Sequence, residues 1–308
     1  MNKIKKLLIL FLSALIFSSC VDQGASKKSD KGELRIAATS MATVYIMEKL
    51  NVDLVAVPDS KIDKMPERYK DVPKVGMAMT PDVEKLKQLN PDYVFSPVSL
   101  ISDLLPKYKA AGLDYGFLNL NNIEGMYKSI KDLGDLLNRK KEAKELVDDY
   151  NKFIKEYKEK HKDKKAPKVL ILMGLHGSYV VATENSYVGS LVELAGAENV
   201  YAGTDQQFIT INTEDMLKKD PDIILRTAHA LPEEVMEMFK KDFAENDIWK
   251  HFRAVKENEV YDLDYKKFGM SAKFNYKEAL DDLEKIFYKN DKSTKGKSNG
   301  GEVIDEKK

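Results

Sequence analysis

The chain has 308 residues, of which 43% are apolar and 32% charged, a composition typical of a soluble globular protein with enough residues for two ordinary domains. Its 50 Lys and Arg residues equal its 50 Asp and Glu residues, so no basic excess is present to neutralise phosphates, and we expect no nucleic-acid partner. The one cysteine, Cys20, excludes an intramolecular disulfide and a thiolate metal cluster.

Residues 1–19 have the pattern of a secretory signal peptide. Three lysines in "MNKIKK" precede the apolar run "LLILFLSALIF", which is too short to span a bilayer as a permanent helix. Cys20 resembles the lipidated cysteine of a bacterial lipobox, although Phe17 replaces the more usual leucine. We expect Cys20 to carry palmitate and residues 20–32 to form a polar tether, so that two or more acyl chains anchor the mature protein to the membrane. The alternative is a secreted protein with an unmodified cysteine.

From residue 33 onward, β-rich runs alternate with helical patterns, which predicts an α/β fold of two lobes with mostly parallel sheets. The strand-like runs are "ELRIAAT", "VDLVAVP", "DYVFSP" and "LDYGFLN", followed by "KVLILM", "YVVAT", "DIILRT" and "VYDLD". We expect a first lobe at 33–137, a connecting helix at 138–165 and a second lobe at 166–289. The connecting segment lacks Gly and Pro and has helical apolar spacing, so at about 1.5 Å per residue it would be roughly 40 Å long. The polar segment 290–308 is typical of a disordered tail.

Two segments have a common pattern. "VEKLKQLNPDYVFSP" at 83–97 and "TEDMLKKDPDIILRT" at 213–227 each contain a glutamate, a Pro-Asp pair seven residues later and then a strand-like run. Each predicts a helix that ends before the proline and leads into a strand. One such similarity arises readily by chance, but the equal spacing on either side of the connecting helix favours two lobes of similar topology. The family resemblance described below implies a ligand cleft between these lobes.

The order of these features resembles the substrate-binding proteins of bacterial ABC importers, in particular the type with a rigid helical backbone that serves siderophores, corrinoids and haem. "GSLVELAGAENVY" at 189–201 and "PDIIL" at 221–225 are similar to the second lobe of that family. Seven runs resemble, more narrowly, the haem-binding lipoproteins of iron-regulated surface determinant systems. They are "RYKDVPKVG", "KVLILMG", "GSYVVAT", "NTEDML", "PDIILR", "LPEEV" and "NDIWKHF".

This resemblance implies a haem carrier and not an enzyme. Such a protein would bind haem b, iron protoporphyrin IX, at the outer face of a Gram-positive cell membrane. It would deliver the haem to an ABC permease and its ATPase for iron acquisition, and cell-wall haem-relay proteins would be its donors. A ferric siderophore or a corrinoid is the alternative ligand, because the wider family also serves these compounds.

In the haem-binding members, the iron lies between a methionine of the first lobe and a histidine of the second. Met79, in "VGMAMTPDVE", and His229, in "RTAHALPEE", match these positions, and Met77 is a second candidate two residues before Met79. Residues beyond the carboxyl ends of parallel strands face the crevice in which α/β proteins bind ligands, which suits His229. A thioether and an imidazole together fill both axial positions of the iron, so the haem would be cargo.

Haem also needs partners for two propionates and an apolar slot for its macrocycle. The helix predicted from "TSMATVYIMEKL" would offer the backbone amides of Ser40, Met41 and Ala42, because the amino end of a helix binds anions. Lys61 or Lys64, in "DSKIDKMPERYK", would supply a cation. The candidate walls of the slot are Tyr179, Tyr187, Phe208, Phe268 and Met270.

The remaining histidines and the single tryptophan have plainer interpretations. His176, in "MGLHGSY", follows a strand-like run and is an alternative ligand, a propionate donor or an exposed loop residue, and we favour the last. His161 lies in a charged run and His251 in a packing helix, so both are interpreted as structural. Trp249 is expected in the core or at a lobe surface.

Glu84 and Glu214 occupy equivalent places in the two repeated segments. The resemblance implies that each meets an arginine on one permease subunit. Exposed carboxylates in such a contact set orientation and encounter rate more than affinity. The alternative is a pair of solvated helix residues, which is what most exposed glutamates are.

The sequence lacks the motifs of common enzyme classes. It contains no G-x-S-x-G, H-E-x-x-H, G-x-G-x-x-G or P-loop pattern, and His176 beside Ser178 has no evident third partner for a triad. A zinc or manganese receptor would need several converging histidines and carboxylates, whereas the four histidines are scattered. A surface adhesin or structural lipoprotein is the third class, and ligand binding separates it from the carrier.

Overall fold

The computed structural model describes residues 33–289. The predictions for the signal peptide at 1–19, for Cys20 and its tether, and for the tail at 290–308 lie outside the described residues. Within 33–289, no helix is long and apolar enough to cross a membrane. The described residues from Leu34 onward belong to one compact unit.

The first lobe alternates strands and helices. Its elements are β1 (Ile36–Ala38), α1 (Met41–Lys49), β2 (Leu54–Ala56), a 3₁₀ turn (Glu67–Tyr69), β3 (Gly76–Met77), β4 (Thr80–Pro81), α2 (Val83–Leu89), β5 (Tyr93–Pro97), a 3₁₀ turn (Val98–Leu100), α3 (Ile101–Ala111), β6 (Tyr115–Leu118) and α4 (Ile123–Leu136). Four strands form a parallel sheet in the order β2-β1-β5-β6. Successive strand residues point to opposite faces, so Ile36 packs with the cluster around α1 and Ala37 with the cluster around α2 and α3.

The predicted connecting helix is α5 (Lys140–His161). Its 22 residues make it about 33 Å long, somewhat shorter than expected, because it ends at His161, before the end of the predicted segment. Before it, Asn138 with a φ of 54° forms a tight turn. This turn folds α5 back onto α4 as a helical hairpin, which the sequence analysis did not predict. Gly134 permits the close approach of the two helices, since a Cβ at this position would lie 2.4 Å from Cβ of Ala143.

The second lobe contains a mixed sheet. Its elements are β7 (Lys168–Leu175), β8 (Ser178–Ala182), α6 (Tyr187–Leu194), β9 (Glu198–Asn199), β10 (Phe208–Ile209), α7 (Thr213–Lys218), β11 (Ile223–Ala228), α8 (Pro232–Glu245), a 3₁₀ helix (Asp247–His251), α9 (Arg253–Lys256), β12 (Val260–Asp262) and α10 (Tyr276–Phe287). The sheet order is β10-β8-β7-β11-β12, and β9 also pairs with β7. Strands β7, β9, β11 and β12 are parallel, whereas β8 is antiparallel to both β7 and β10.

Buried apolar side chains of both lobes form one continuous cluster. It includes Ile36 and Leu120 of the first lobe, Tyr157 of α5, and Ile171 and Leu280 of the second lobe. A second cluster lies on the other face of the second sheet, beneath α8 and the 3₁₀ helix that contains Trp249. The first cluster therefore joins the lobes through packing as well as through the chain.

Aromatic residues reinforce this junction. The ring of Tyr127 in α4 stacks on that of Tyr150 in α5 with centroids 4.1 Å apart. The hydroxyl of Tyr127 also lies 3.3 Å from that of Tyr276 in α10. Because close-packed interiors resist continuous deformation, these contacts hold the two sheets in a fixed relation.

The two repeated segments have the same local geometry. In each, an aspartate that follows the proline accepts a 2.7 Å hydrogen bond from a backbone N–H at the start of the first strand of its lobe. Asp92 accepts from Arg35, and Asp222 accepts from Lys168. The strand that follows then pairs in parallel with that first strand, β5 with β1 and β11 with β7. The predicted similarity of topology holds for these segments.

Candidate ligand-binding cleft

Met79 lies at the tip of a tight hairpin. Gly76 pairs with Pro81 and Met77 with Thr80, so Ala78 and Met79 form the two-residue turn between β3 and β4. Gly76 has a φ of 85°, a conformation that favours glycine. Met77 and Met79 are 62% and 54% exposed, unusual values for side chains that normally fill cores. Both thioethers are therefore accessible to a ligand from outside.

His229 directly follows β11 in the second lobe. Its backbone N–H donates a 3.0 Å hydrogen bond to Gly174 O of β7, which fixes the residue at the carboxyl end of both strands. The half-buried ring has a buried Nδ1 without a hydrogen-bond partner among the described residues. Burial lowers the pKa of His229 below its usual value of 6.5, so the imidazole stays neutral at physiological pH. A neutral imidazole is the form that coordinates metal.

Two exposed apolar residues lie near these candidate ligands in the sequence, and neither was predicted as part of the site. Leu231 is 47% exposed and lies two residues after His229, where its φ of 47° precedes Pro232 at the start of α8. Ile62 is 40% exposed on the loop before the Met79 hairpin. The exposure of Leu231 could have been predicted from its position between the end of a strand and a proline at a helix start. A short connection of this kind gives a leucine side chain little opportunity to pack in the core.

The amino end of α1 is nearly enclosed. Ser40 is the N-cap, and its Oγ accepts a 3.2 Å hydrogen bond from Thr43 N. The amides of Met41 and Ala42 lie in the first turn, where the helix itself provides no acceptor. The three predicted residues Ser40, Met41 and Ala42 are only 7%, 6% and 5% exposed, so little of their surface is accessible to an anion.

Lys61 and Lys64 lie on a loop between β2 and the first 3₁₀ turn. Both are exposed, and within the described part of the chain neither ammonium makes an ion pair. The hydroxyl of Tyr45 donates a 3.2 Å hydrogen bond to Lys64 O. Burial, with the nearby Asp63 carboxylate, raises the pKa of Tyr45 to about 12, so this donor stays protonated. Both ammonium groups are therefore available to an anionic ligand.

The predicted walls differ in accessibility. Phe268 and Tyr187 are each 1% exposed, because both pack in the cluster that joins the lobes. Tyr179 is half-buried, and its hydroxyl donates to Asp242 of α8 at 3.3 Å, so its ring lies against the helix-covered face of the sheet. Phe208 and Met270 are half-buried and keep some free surface. Contact of these side chains with a ligand stays a prediction, and for Phe268 and Tyr187 it would need their neighbours to move.

Comparison with known proteins identifies the family. Residues 36–266 match the periplasmic binding protein family. The chain belongs to this family. The high-affinity heme uptake system protein IsdE of Staphylococcus aureus (strain Newman) is 45% identical over 293 residues, which cover 95% of this chain and 100% of that protein.

Solved structures of periplasmic binding proteins show the same fold. The structure of S. aureus IsdE complexed with heme has a TM-score of 0.80 and 46% identity, and the match covers 83% of this chain and 100% of that one. An ABC transporter substrate-binding protein from Listeria monocytogenes EGD-e also has a TM-score of 0.80 and 46% identity, over 84% and 100% of the two chains. The predicted α/β architecture of two lobes joined by a long helix is thereby confirmed.

Glu84 and Glu214 of this periplasmic binding protein have matching surroundings. Each is exposed and is the second residue of its helix, α2 or α7. The helices begin with Asp82 and Asn212, whose side chains accept hydrogen bonds of 2.9 and 2.8 Å from the backbone of the third helical residue. Both carboxylates therefore project from the first turn of a capped helix, where the helix dipole favours negative charge.

The other three histidines are either exposed or buried at the end of α5. His176 is exposed in the turn between β7 and β8. His161 is buried at the end of α5, with Nδ1 2.7 Å from Tyr157 O and Nε2 3.4 Å from a carboxylate oxygen of Glu284. His251 is exposed in a 3₁₀ helix. Trp249 is fully buried and donates to Asp242 at 2.8 Å, so of its two predicted places it occupies the core.

Two cavities lie elsewhere on this periplasmic binding protein. One of about 620 Å³ lies between α4, α5 and α6 and is lined by residues such as Glu124, Lys158 and Glu193. The other, about 520 Å³, adjoins the end of α10. Neither lining includes Met79 or His229. Among residues 33–289 there is also no group of three His, Cys, Asp or Glu residues that could hold a metal ion.

Proposed function

We propose that this protein binds haem b between its lobes and delivers it to an ABC permease and ATPase for iron acquisition. Each lobe, at the proposed boundaries of 33–137 and 166–289, supplies one axial ligand, and the segment 138–165 holds them in place. One observation carries the proposal. An exposed thioether at a hairpin tip in the first lobe and a neutral imidazole with an unpartnered nitrogen in the second are the two ligand types that hold haem iron. The identity to IsdE over 95% of the chain supports it.

The surroundings of both proposed ligands suit a macrocycle with two carboxylates. Exposed Ile62 and Leu231 offer apolar surface to the porphyrin. The amides at the start of α1 and the ammonium of Lys61 or Lys64 would bind the propionates. With Met79 and His229 on the iron, no axial position is left for oxygen, so the haem is held as cargo and no catalysis is required.

The test is an absorbance titration with haemin of protein expressed from Val21. We expect one haem per chain and a low-spin Soret spectrum. Met79→Ala and His229→Ala should each change that spectrum and weaken binding at least about tenfold, which corresponds to about 1.4 kcal/mol. His251→Ala, at an exposed histidine outside the proposed site, is the matched control.

The same titration decides the remaining alternatives. If Met77→Ala reproduces the change and Met79→Ala does not, the iron ligand is Met77. No saturable spectral change in the wild type would contradict haem binding, and competition by a ferric siderophore or a corrinoid would favour those ligands. Haem from cell-wall relay proteins is the proposed source in the cell.

We further propose that palmitate and other acyl chains on Cys20 anchor the protein to the outer face of a Gram-positive membrane. Two or more chains give stable attachment, whereas one gives only reversible binding. Cys20→Ala should move the protein from the membrane fraction to the medium. Retention of the variant at the membrane would contradict a lipid anchor at this residue.

A further inference from the structure

A part-buried ion pair connects the two lobes. Nζ of Lys273 lies 2.8 and 3.1 Å from the two carboxylate oxygens of Asp63. The two side chains are only 19% and 20% exposed, although their residues are 210 positions apart. Most other ion pairs of the described residues are far more exposed and join neighbours in sequence or in one lobe. Ion pairs shielded from water are less weakened by salt than surface pairs.

Asp63 belongs to a loop, residues 59–66, without helix or strand. At its start, Asp59 N donates a 2.8 Å hydrogen bond to Gly76 O, which ties the loop to the base of the Met79 hairpin. Near its end, the hydroxyl of Tyr45 donates to Lys64 O. Among the hydrogen bonds and ion pairs that the described residues make, only the Asp63 carboxylate joins this loop to the second lobe.

Lys273 belongs to a segment that runs beside the strand of His229. Oγ1 of Thr227, two residues before His229, donates a 3.0 Å hydrogen bond to Phe268 O in this segment. Next to Lys273, Ala272 N donates a 2.8 Å hydrogen bond to Leu120 O of the first lobe. The segment is therefore fixed to the histidine strand at one end and to the first lobe at the other.

We propose that Asp63 and Lys273 are a positioning pair, which we call the lobe latch, that sets the distance between Met79 and His229. This inference rests on the proposed haem function. Contacts run without interruption from the Met79 hairpin through the loop, the latch and the Lys273 segment to the strand of His229. Without the latch, the backbone bond beside Lys273 and the shared apolar cluster still join the lobes, but the loop loses its hydrogen-bonded tie to the segment beside the histidine strand.

The latch preorganises the site. Axial ligands held at the right separation bind iron without first ordering a loop, and preorganisation of this kind increases affinity by reducing the entropy lost on binding. Because the hairpin carries the thioether, loss of the lobe latch would weaken the thioether–iron bond more than the imidazole–iron bond. The expected signature is thus partial loss of methionine ligation in haem that the imidazole still binds, together with faster release of that haem.

The experiment compares wild-type protein with Asp63→Asn and Lys273→Gln. Three quantities are measured on haem-loaded protein: the rate of haem transfer to apomyoglobin, the high-spin fraction in the visible spectrum, and the imidazole concentration that displaces the thioether. In each variant we expect haem release to be about five- to tenfold faster, in keeping with the loss of one part-buried ion pair. The high-spin fraction should rise, and imidazole should bind at lower concentration.

Two further variants separate positioning from general stability. Glu67→Gln removes one exposed carboxylate four residues after Asp63, where it pairs only locally with Lys70, and should behave as wild type. The exchange Asp63→Lys with Lys273→Asp restores opposite charges and should return all three quantities toward wild type. Thermal unfolding of the haem-free proteins confirms that each variant is folded.

The outcomes are distinct. Wild-type release, spin state and imidazole response in both single variants would overturn the lobe latch, and so would failure of the exchanged pair to recover in a folded protein. The lobe latch would also be overturned if Glu67→Gln changed haem release, spin state and imidazole response as much as the two single variants do. The removal of any one negative charge would then explain the effect. Absence of a low-spin haem spectrum in the wild type would instead overturn the proposed function, before any variant is compared.

Discussion

His229 and Met79 are surrounded in opposite ways. The histidine has a buried nitrogen without a partner among the described residues, a feature that costs about 1–3 kcal/mol when no ligand or water is bound. The methionine leaves more than half of its surface exposed, where a packed core position would hide it. Each residue therefore lowers stability relative to a side chain that is packed and fully hydrogen-bonded. Such local departures from folding rules are typical of functional sites.

The depressed pKa of His229 predicts a pH dependence. Only the neutral ring binds iron, so haem affinity should persist below the ordinary histidine pKa of about 6.5 and fall only at lower pH. In the unfolded chain the ring titrates normally and binds its proton first. The free energy of unfolding of haem-free protein should therefore decline as pH falls from 6.5 toward the folded-state pKa. Haemin titrations and urea unfolding across this range, with His229→Gln for comparison, measure both effects. An affinity midpoint at or above pH 6.5 would contradict the burial argument.

Oxidation distinguishes the two exposed methionines. Hydrogen peroxide converts an accessible thioether to a sulfoxide, with release of water. In haem-free protein we expect Met77 and Met79 to react at similar rates, because both are more than half exposed. Bound haem should protect Met79 and leave Met77 reactive, as peptide mass spectrometry would measure. Equal protection of both, or protection of Met77 alone, would reject Met79 as the axial ligand.

At the scale of elements, α2 and α7 present Glu84 and Glu214 in the same way in two different lobes. Both helices have an Asx N-cap, and in both the glutamate is the second helical residue. Matching carboxylates on two related lobes suit a partner made of two related subunits. This supports a role of both glutamates in permease docking, which stays a proposal.

Uptake measurements test this docking. The double variant Glu84→Ala, Glu214→Ala should reduce cellular haem uptake by about tenfold or more and leave haem binding in solution unchanged, because each carboxylate acts on encounter and orientation. Either single variant should give an intermediate loss. Glu237→Ala, at an exposed glutamate of α8 that pairs with Lys240, is the control. Normal uptake in the double variant would show that these residues are merely solvated.

The longer elements could be predicted from sequence, and the shortest could not. Apolar spacing without Gly or Pro indicated α5, and β-branched runs indicated β7 and β11. The β3–β4 hairpin has two residues in each strand, too few for any periodicity, and two of the four, Gly76 and Pro81, are of types that are rare in strands. The antiparallel direction of β8 depends on a two-residue turn, His176–Gly177, which a pattern of alternating strands and helices does not reveal.

The sequence predicted the types of residue that would bind the iron, but it did not predict which aromatic side chains would be accessible to the ligand. Resemblance indicated Met79 and His229, and the structure leaves Met79 more than half exposed and His229 half-buried; their role as iron ligands stays a prediction. Burial of Phe268 and Tyr187 was not predictable, because an aromatic residue in a loop or at a helix start is equally consistent with a pocket wall and with core. Their enclosure depends on packing between the lobes, which arises from contacts far apart in sequence.

At the scale of the whole molecule, both lobes share one apolar cluster, and α4, α5 and α10 meet through one stacked and one edge-to-face tyrosine pair. Such a junction permits small shear movements and opposes a wide hinge opening. The helical connection thus acts as a spacer between the two sheets.

Distance measurements test this rigidity. Protein expressed from Val21 contains no native cysteine, so spin labels can be placed on one introduced cysteine in each lobe, at exposed positions such as Lys107 and Lys241. We expect the distance between labels to change by less than about 3 Å when haem binds, as in preorganised complexes. A shift several times larger would show that the shared core does not restrain the lobes.

The shared core also has a consequence for how haem-free and haem-loaded protein would interact with the importer. If empty and loaded carriers have nearly the same outline, the importer has little basis for telling them apart by shape. Vacant copies would then compete with full ones for the transport machinery, and a cell that made the carrier in large surplus over its cargo would slow its own iron supply.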